Sequence, residues 1–328
     1  MKKKLLFAYL AAVVTLSSCS NDATISVNQN LTKIDFDAYT NSSTKATIVS
    51  MNNFNDFVVY GYVTPKSYVG KTDLGSPYMD ALVVSREDSN VPWIYEGEYY
   101  WPQDDSKIQL FGISPKNDLV SEYITSKDSY PSFKYIIGDV GKNQKDLIVS
   151  SLLDQVETET VKTLKLNFKH ILSQINFSVK GEVAGLEYNV TKIELINIKN
   201  EGKFTFDTPL KIGNWSDVKG TATYVHNLEN FVVDGVSLKP LEGEDRTMIL
   251  MPQENTENAK IKVTYSIRDN GGKSLIFDGS KEVDLSSFVW AINTKTRYTL
   301  TLPVTADKII FITTIDKWVD ETVPIVIK

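Results

Sequence analysis

Leu164-Lys-Leu166-Asn-Phe168-Lys-His170 alternates apolar with polar residues, and a few positions later Gln174-Ile175-Asn-Phe177-Ser-Val179 does so again. Successive side chains of an extended strand point to opposite faces. A period of two therefore collects the apolar residues on one face of a sheet and gives no continuous stripe on a helix, whose period is 3.6. The same signal recurs along the chain. Ile34-Asp-Phe36-Asp-Ala38-Tyr39 alternates apolar with acidic residues, and Lys260-Ile-Lys-Val263-Thr-Tyr265 and Tyr298-Thr-Leu300-Thr-Leu302 repeat the pattern. Phe57 to Val63 and Ile108 to Ile113 read as buried strands, and Asp146 to Val149, Ile193 to Ile196, Thr247 to Leu250 and Ile309 to Ile315 as further strands. Arg268-Asp-Asn270-Gly271-Gly272 is a hairpin turn, because asparagine and glycine accept positive φ.

Helical signals are few. One turn is expected between Lys169 and Gln174, and the polar stretch from Asp154 to Thr163 reads as a linker. A boundary near residue 160 then gives an all-β chain of two β-sandwiches, residues 46–160 and 161–328. The 16 Tyr, 14 Phe and 5 Trp suit strands, and 42% hydrophobic with 23% charged residues is ordinary for a folded protein. A net charge of −6 argues against a nucleic-acid partner.

The first residues have the form of an export signal. Lys2, Lys3 and Lys4 precede an apolar run, Leu5 to Leu16, too short for the roughly 20 residues of a membrane span. The run ends in Leu16-Ser17-Ser18-Cys19, the pattern a lipoprotein signal peptidase accepts, with cleavage between Ser18 and Cys19 and lipid on the Cys19 thiol. Residues 1–18 are thus expected to be a signal peptide and residues 19–45 a tether carrying the first strand. Cys19 is the only cysteine, so neither a disulfide nor a cysteine metal site is expected.

The sequence offers little bond-making chemistry. His170 and His226 stand apart with no zinc-ligand spacing, and the bland reading packs His170 beside strands and leaves His226 on the surface or half-buried. Asp104-Asp105 and Glu244-Asp245 fall in turn-like segments and read as solvated loops. No catalytic residue, cofactor or metal is expected. The aromatic cluster Trp93, Tyr95, Tyr99, Tyr100 and Trp101 reads first as core, and alternatively as rings that stack on a sugar.

These landmarks, in order, resemble the fimbrillins, the major, accessory and tip subunits of type V pili, and within them the broad fimbrillin-like group. The resemblance rests on Tyr99-Tyr100-Trp101-Pro102, Ile108-Gln-Leu110-Phe111 and Ser114-Pro115, then Asp146-Leu147-Ile148-Val149. It continues through the block Leu166-Asn-Phe168-Lys-His170-Ile-Leu172-Ser173-Gln174-Ile175-Asn-Phe177 and Met251-Pro252-Gln253. Trp290 with Thr296-Arg-Tyr298-Thr-Leu300, and Ile315-Asp-Lys-Trp318, complete it.

The resemblance implies two transthyretin-like β-sandwich domains in tandem and no enzyme activity. It implies export as a lipoprotein to the outer membrane and the surface fimbria, then protease cleavage after a basic residue, here Lys45-Ala46. Fimbrillins commonly carry arginine at that place. The segment lost would include Ile34, Phe36 and Ala38, and a strand of a neighbouring pilin subunit would fill the vacated groove. The candidate donor is Val323, Ile325 and Ile327 near the C-terminus, close enough behind Trp318 to raise a tip or accessory role. The alternative is a lipid-anchored adhesin for a host protein or glycan, with Trp93, Tyr99 and Trp101 as its ligand rings.

Overall fold

Among the described residues of the computed structural model, every regular element is a β-strand. The structure describes residues 31–40, 53–116, 120–138, 144–242, 246–254, 256–269, 271–285, 287–305 and 307–317. In chain order the strands are β1 (Asp35–Thr40), β2 (Asp56–Thr64), β3 (Met79–Ser85), β4 (Ile94–Tyr95), β5 (Lys107–Ser114), β6 (Val120–Ile124), β7 (Ser132–Ile136) and β8 (Ile148–Gln155). Next come β9 (Thr163–His170), β10 (Ser173–Gly181), β11 (Leu186–Ile198), β12 (Glu201–Thr205), β13 (Asn214–Lys219), β14 (Ala222–Asp234) and β15 (Lys239–Pro240). The last are β16 (Met248–Leu250), β17 (Gln253–Glu254), β18 (Lys260–Asp269), β19 (Leu275–Asp284), β20 (Val289–Trp290), β21 (Thr294–Leu302) and β22 (Ile310–Lys317).

A seven-stranded sheet runs β1-β9-β8-β5-β2-β3-β4, and a four-stranded sheet runs β13-β12-β7-β6. Two further sheets run β15-β10-β21-β22, with β16 also on β10, and β14-β11-β18-β19; β17 pairs β20. Most pairs are antiparallel, but β1 lies parallel to β9 and β10 parallel to β21. The predicted turn after Arg268 forms the β18–β19 hairpin.

The seven-stranded sheet is apolar on both faces, which explains the near-continuous burial of β5. On one face Ile34 and the β1 residues Phe36 and Ala38 meet Phe57, Val59, Val84, Ile108, Leu110, Ile148, Leu164, Leu166 and Phe168. On the other, Phe111, Ile113 and Val149 join Phe133, Tyr135, Phe204 and Phe206 in a core that continues through β10, β11, β18 and β21. Gly112 shows how closely the first face packs: a Cβ there would come within 2.8 Å of the Phe168 ring.

Two expectations change. Ile171 and Leu172 form no helical turn; both are buried, and the Ile171 amide donates to the Leu147 carbonyl at 3.1 Å. The expected boundary near residue 160 does not coincide with a change of sheet. β9, beyond it, stays in the seven-stranded sheet, and β12 pairs with β7. The apolar run Ile309 to Ile315 forms the edge strand β22, with Ile310, Ile312 and Ile315 each more than half exposed.

Candidate functional site

The candidate site is the slot that β1 fills. The acidic residues Asp35 and Asp37 face solvent while Phe36, Ala38 and Thr40 are buried, so the alternation read in the sequence is also the burial pattern. Ile34, just before the strand, is fully buried. Along β9 the register pairs Asp35 with Thr163 and continues to Thr40 with Phe168. Phe36 sits edge-on to Phe57 at 6.1 Å between ring centroids and to Tyr95 at 5.5 Å.

The other side of the slot comes from residues 99–101, which follow β4. Lys33 and Tyr100 form an antiparallel bridge. The Ile34 amide donates to the Tyr99 carbonyl at 2.9 Å, and the Trp101 amide donates to the Thr32 carbonyl at 3.0 Å. The Tyr95 hydroxyl donates to the Ile34 carbonyl at 2.5 Å. Burial is the main force holding that phenol protonated, pushing its pKa up to about 12, with nearby Asp35 adding to it. The lead-in to β1 is therefore gripped by main-chain and side-chain groups together.

The aromatic cluster is mostly the wall of this slot. Trp101 is 1% exposed, and its indole N–H donates to the Lys162 carbonyl at 3.1 Å. Trp93 packs on Phe54 and Phe57 and carries the Arg86 guanidinium 4.2 Å from its ring centre. Tyr99 stacks edge-on to Tyr78. The expectation of Trp101 as a ligand ring is corrected by its burial. A shallow depression of about 520 Å³ beside it is lined by Val63, Tyr78, Tyr100, Pro102, Gln103 and Asp104 as well. Tyr78 carried no signal in the sequence, because it stands outside any alternating run.

His170 is buried as expected, with Nδ1 2.7 Å from the Asp146 carboxylate. His226 is a correction: it lies on the inward face of β14 beside Tyr224 and Leu228, 4% exposed, with its ring edge-on to Phe177. Asp104 and Asp105 lie in an exposed turn, as expected. Among the described residues no group of three or more His, Cys, Asp or Glu could hold a metal ion. Ser18, Cys19, Lys45, Ala46, Glu244, Asp245, Trp318, Val323, Ile325 and Ile327 lie outside the described residues. The arrangement is thus suited to holding an extended strand by its main chain and alternate side chains.

The sequence profile of the fimbrillin-like family matches residues 44–318. The fimbrium subunit Fim1C of Phocaeicola vulgatus is 23% identical over 371 residues, covering 95% of this chain and 95% of that protein. Among solved structures, a fimbrial protein from Bacteroides vulgatus superposes with a TM-score of 0.61 at 18% identity, covering 88% of this chain and 99% of its own. A protein from Bacteroides uniformis, named for cell adhesion, gives 0.51 at 13% identity, covering 88% and 98%. At these identities the two structures speak to the fold. The family and these relatives are fimbrial and adhesion proteins, not enzymes.

Proposed function

The chain belongs to the fimbrillin-like family, and on that premise we propose that it is a subunit of a surface fimbria that polymerises when its first strand is exchanged for a strand of a neighbouring subunit. The observation that carries the reading is β1 itself. With Ile34 just before it, the short strand buries Phe36 and Ala38 in one row, pairs in parallel with β9, and has its lead-in gripped by residues 99–101. Burying an isoleucine or phenylalanine stabilises by about 1.5–3 kcal/mol, so an empty slot would draw in any strand with a matching apolar row. The span matched by the family begins at residue 44, after β1 and next to Lys45.

In this reading the chain is exported with lipid on Cys19 and held at the outer membrane while β1 keeps the slot filled. Cleavage at Lys45-Ala46 frees the strand together with the lipid. A slot on one copy and a donor on the next make a heterologous contact, and such contacts build open filaments. The donor is the run with Val323, Ile325 and Ile327, behind the exposed edge strand β22. N-terminal sequencing of protein sheared from cell surfaces tests the scheme. A start at Ala46 is expected. A mature chain that keeps lipidated Cys19 and never enters filaments overturns it and leaves an anchored adhesin.

A further inference from the structure

Residues 99–101 touch the lead-in to β1, residues 32–34, through their main chain, and three bonds that hold them there are independent of that segment. The two bonds between Ile34 and Tyr99 and between Trp101 and Thr32 flank the bridge of Lys33 with Tyr100. Behind that bridge, the Tyr78 hydroxyl accepts from the Tyr100 amide at 2.7 Å and donates to the Tyr100 carbonyl at 2.9 Å. It satisfies both outward groups that a neighbouring strand would otherwise meet. Trp101 reaches across to the carbonyl of Lys162, the residue just before β9. The register that sets Asp35 against Thr163 puts Lys162 next to the place of Ile34. Trp101 therefore ties the two walls that flank Ile34. None of these three bonds uses an atom of β1, so departure of β1 would strand the Tyr99 carbonyl and the Trp101 amide at a fixed spacing.

We infer that residues 99–101, held by Trp101 and Tyr78, are a second docking edge for the strand that occupies the β1 position, and that this edge selects an occupant with a free main-chain N–H at the place of Ile34. The inference rests on the strand-exchange reading above and adds a partner rule to it. The occupant is an extended segment of a second copy of this chain, bound in parallel on β9 and antiparallel on residues 99–101. It places large apolar side chains at the sites of Ile34 and Phe36, as Val323 and Ile325 of the proposed donor do in one register. Proline at the Ile34 place is excluded, because it has no N–H for the Tyr99 carbonyl. A buried polar group left without its partner is costly, so the edge discriminates by penalty as well as by attraction.

The test uses the full chain with a protease site built into residues 41–50, cut so that the segment carrying β1 is held without a covalent link. A fluorescent peptide with the sequence of residues 32–42 is the probe, and anisotropy reads its entry. N-methylation at Ile34 is expected to weaken entry about tenfold or more, while N-methylation at Lys33, the unbonded member of the bridge, changes it by less than about threefold. Trp101→Phe and Tyr78→Phe, in the cut chain, are each expected to speed peptide release about five- to tenfold. Equal entry of the two methylated peptides overturns the inference and leaves strand exchange standing. Unchanged release from both variants does the same. Failure of the unmodified peptide to enter at all sinks the exchange reading and this inference with it. Where Trp101→Phe does not fold, Tyr78→Phe and the peptide pair decide.

Discussion

Replacing Phe36 with alanine measures what the first strand contributes. Phe36 is 6% exposed and meets Phe57 and Tyr95 edge-to-face, at 6.1 Å and 5.5 Å. Truncating a buried phenylalanine costs about 3–5 kcal/mol through lost transfer energy and the cavity left behind. Each aromatic pair accounts for about 0.5–1.5 kcal/mol of that. The cavity has little freedom to collapse, because the Tyr95 ring is pinned through its hydroxyl to the Ile34 carbonyl and the wall behind it is tied by Trp101 to Lys162. A loss of about 3–4 kcal/mol is therefore expected. Tyr39→Ala is the internal control. Tyr39 lies on the outward face of the same strand, and its truncation is expected to cost under about 1 kcal/mol. Urea unfolding of the full chain, followed by tryptophan fluorescence, reads both, since Trp93 and Trp101 border this core. Equal shifts for the two variants, or a loss below about 1 kcal/mol for Phe36→Ala, would refute the inward placement of Phe36.

Stability should fall at alkaline pH. Burial pushes Tyr95 and Tyr298 up to about 12, so the fold binds their protons more tightly than the unfolded chain, where tyrosine titrates near 10. Their contribution is complete below about pH 10 and is lost as pH rises toward 12, and urea midpoints that stay flat across that window would contradict it. Asp146→Ala strips the carboxylate from buried His170 and should lower stability by about 1–3 kcal/mol, read by thermal unfolding. Gly112→Ala drives a methyl against the Phe168 ring, where a Cβ would stand at 2.8 Å, and should cost about 1–3 kcal/mol by the same assay.

Strict alternation made β1, β9, β10, β18 and β21 legible in the sequence, because each carries its large apolar residues on one face. β14 escaped because its inward row is Tyr224, His226 and Leu228, and a buried histidine breaks an apolar pattern. β19 escaped for the opposite reason: as an edge strand it is mostly exposed and carries few apolar residues. The half of the slot made of side chains was legible, since Ile34, Phe36 and Ala38 announce themselves by spacing. The other half is main chain, namely the Tyr99 carbonyl, the Trp101 amide and the Lys162 carbonyl. Main-chain carbonyls, and amides outside proline, are the same from residue to residue and leave no trace in composition. The indole of Trp101 read as core or ligand ring, and only its hydrogen bond shows it bracing one wall against the other.

The parallel pairing of β1 with β9 also sets an order of events. Asp35 meets Thr163, a separation of 163 − 35 = 128 residues. Synthesis runs from the N-terminus, so β1 exists long before its partner strand has been made. Closing so long a loop is entropically unfavourable until the rest of the sheet has assembled. The first strand to be made is thus among the last to find its place. A piece added late to an otherwise finished sheet can leave again without unravelling the neighbours it joined.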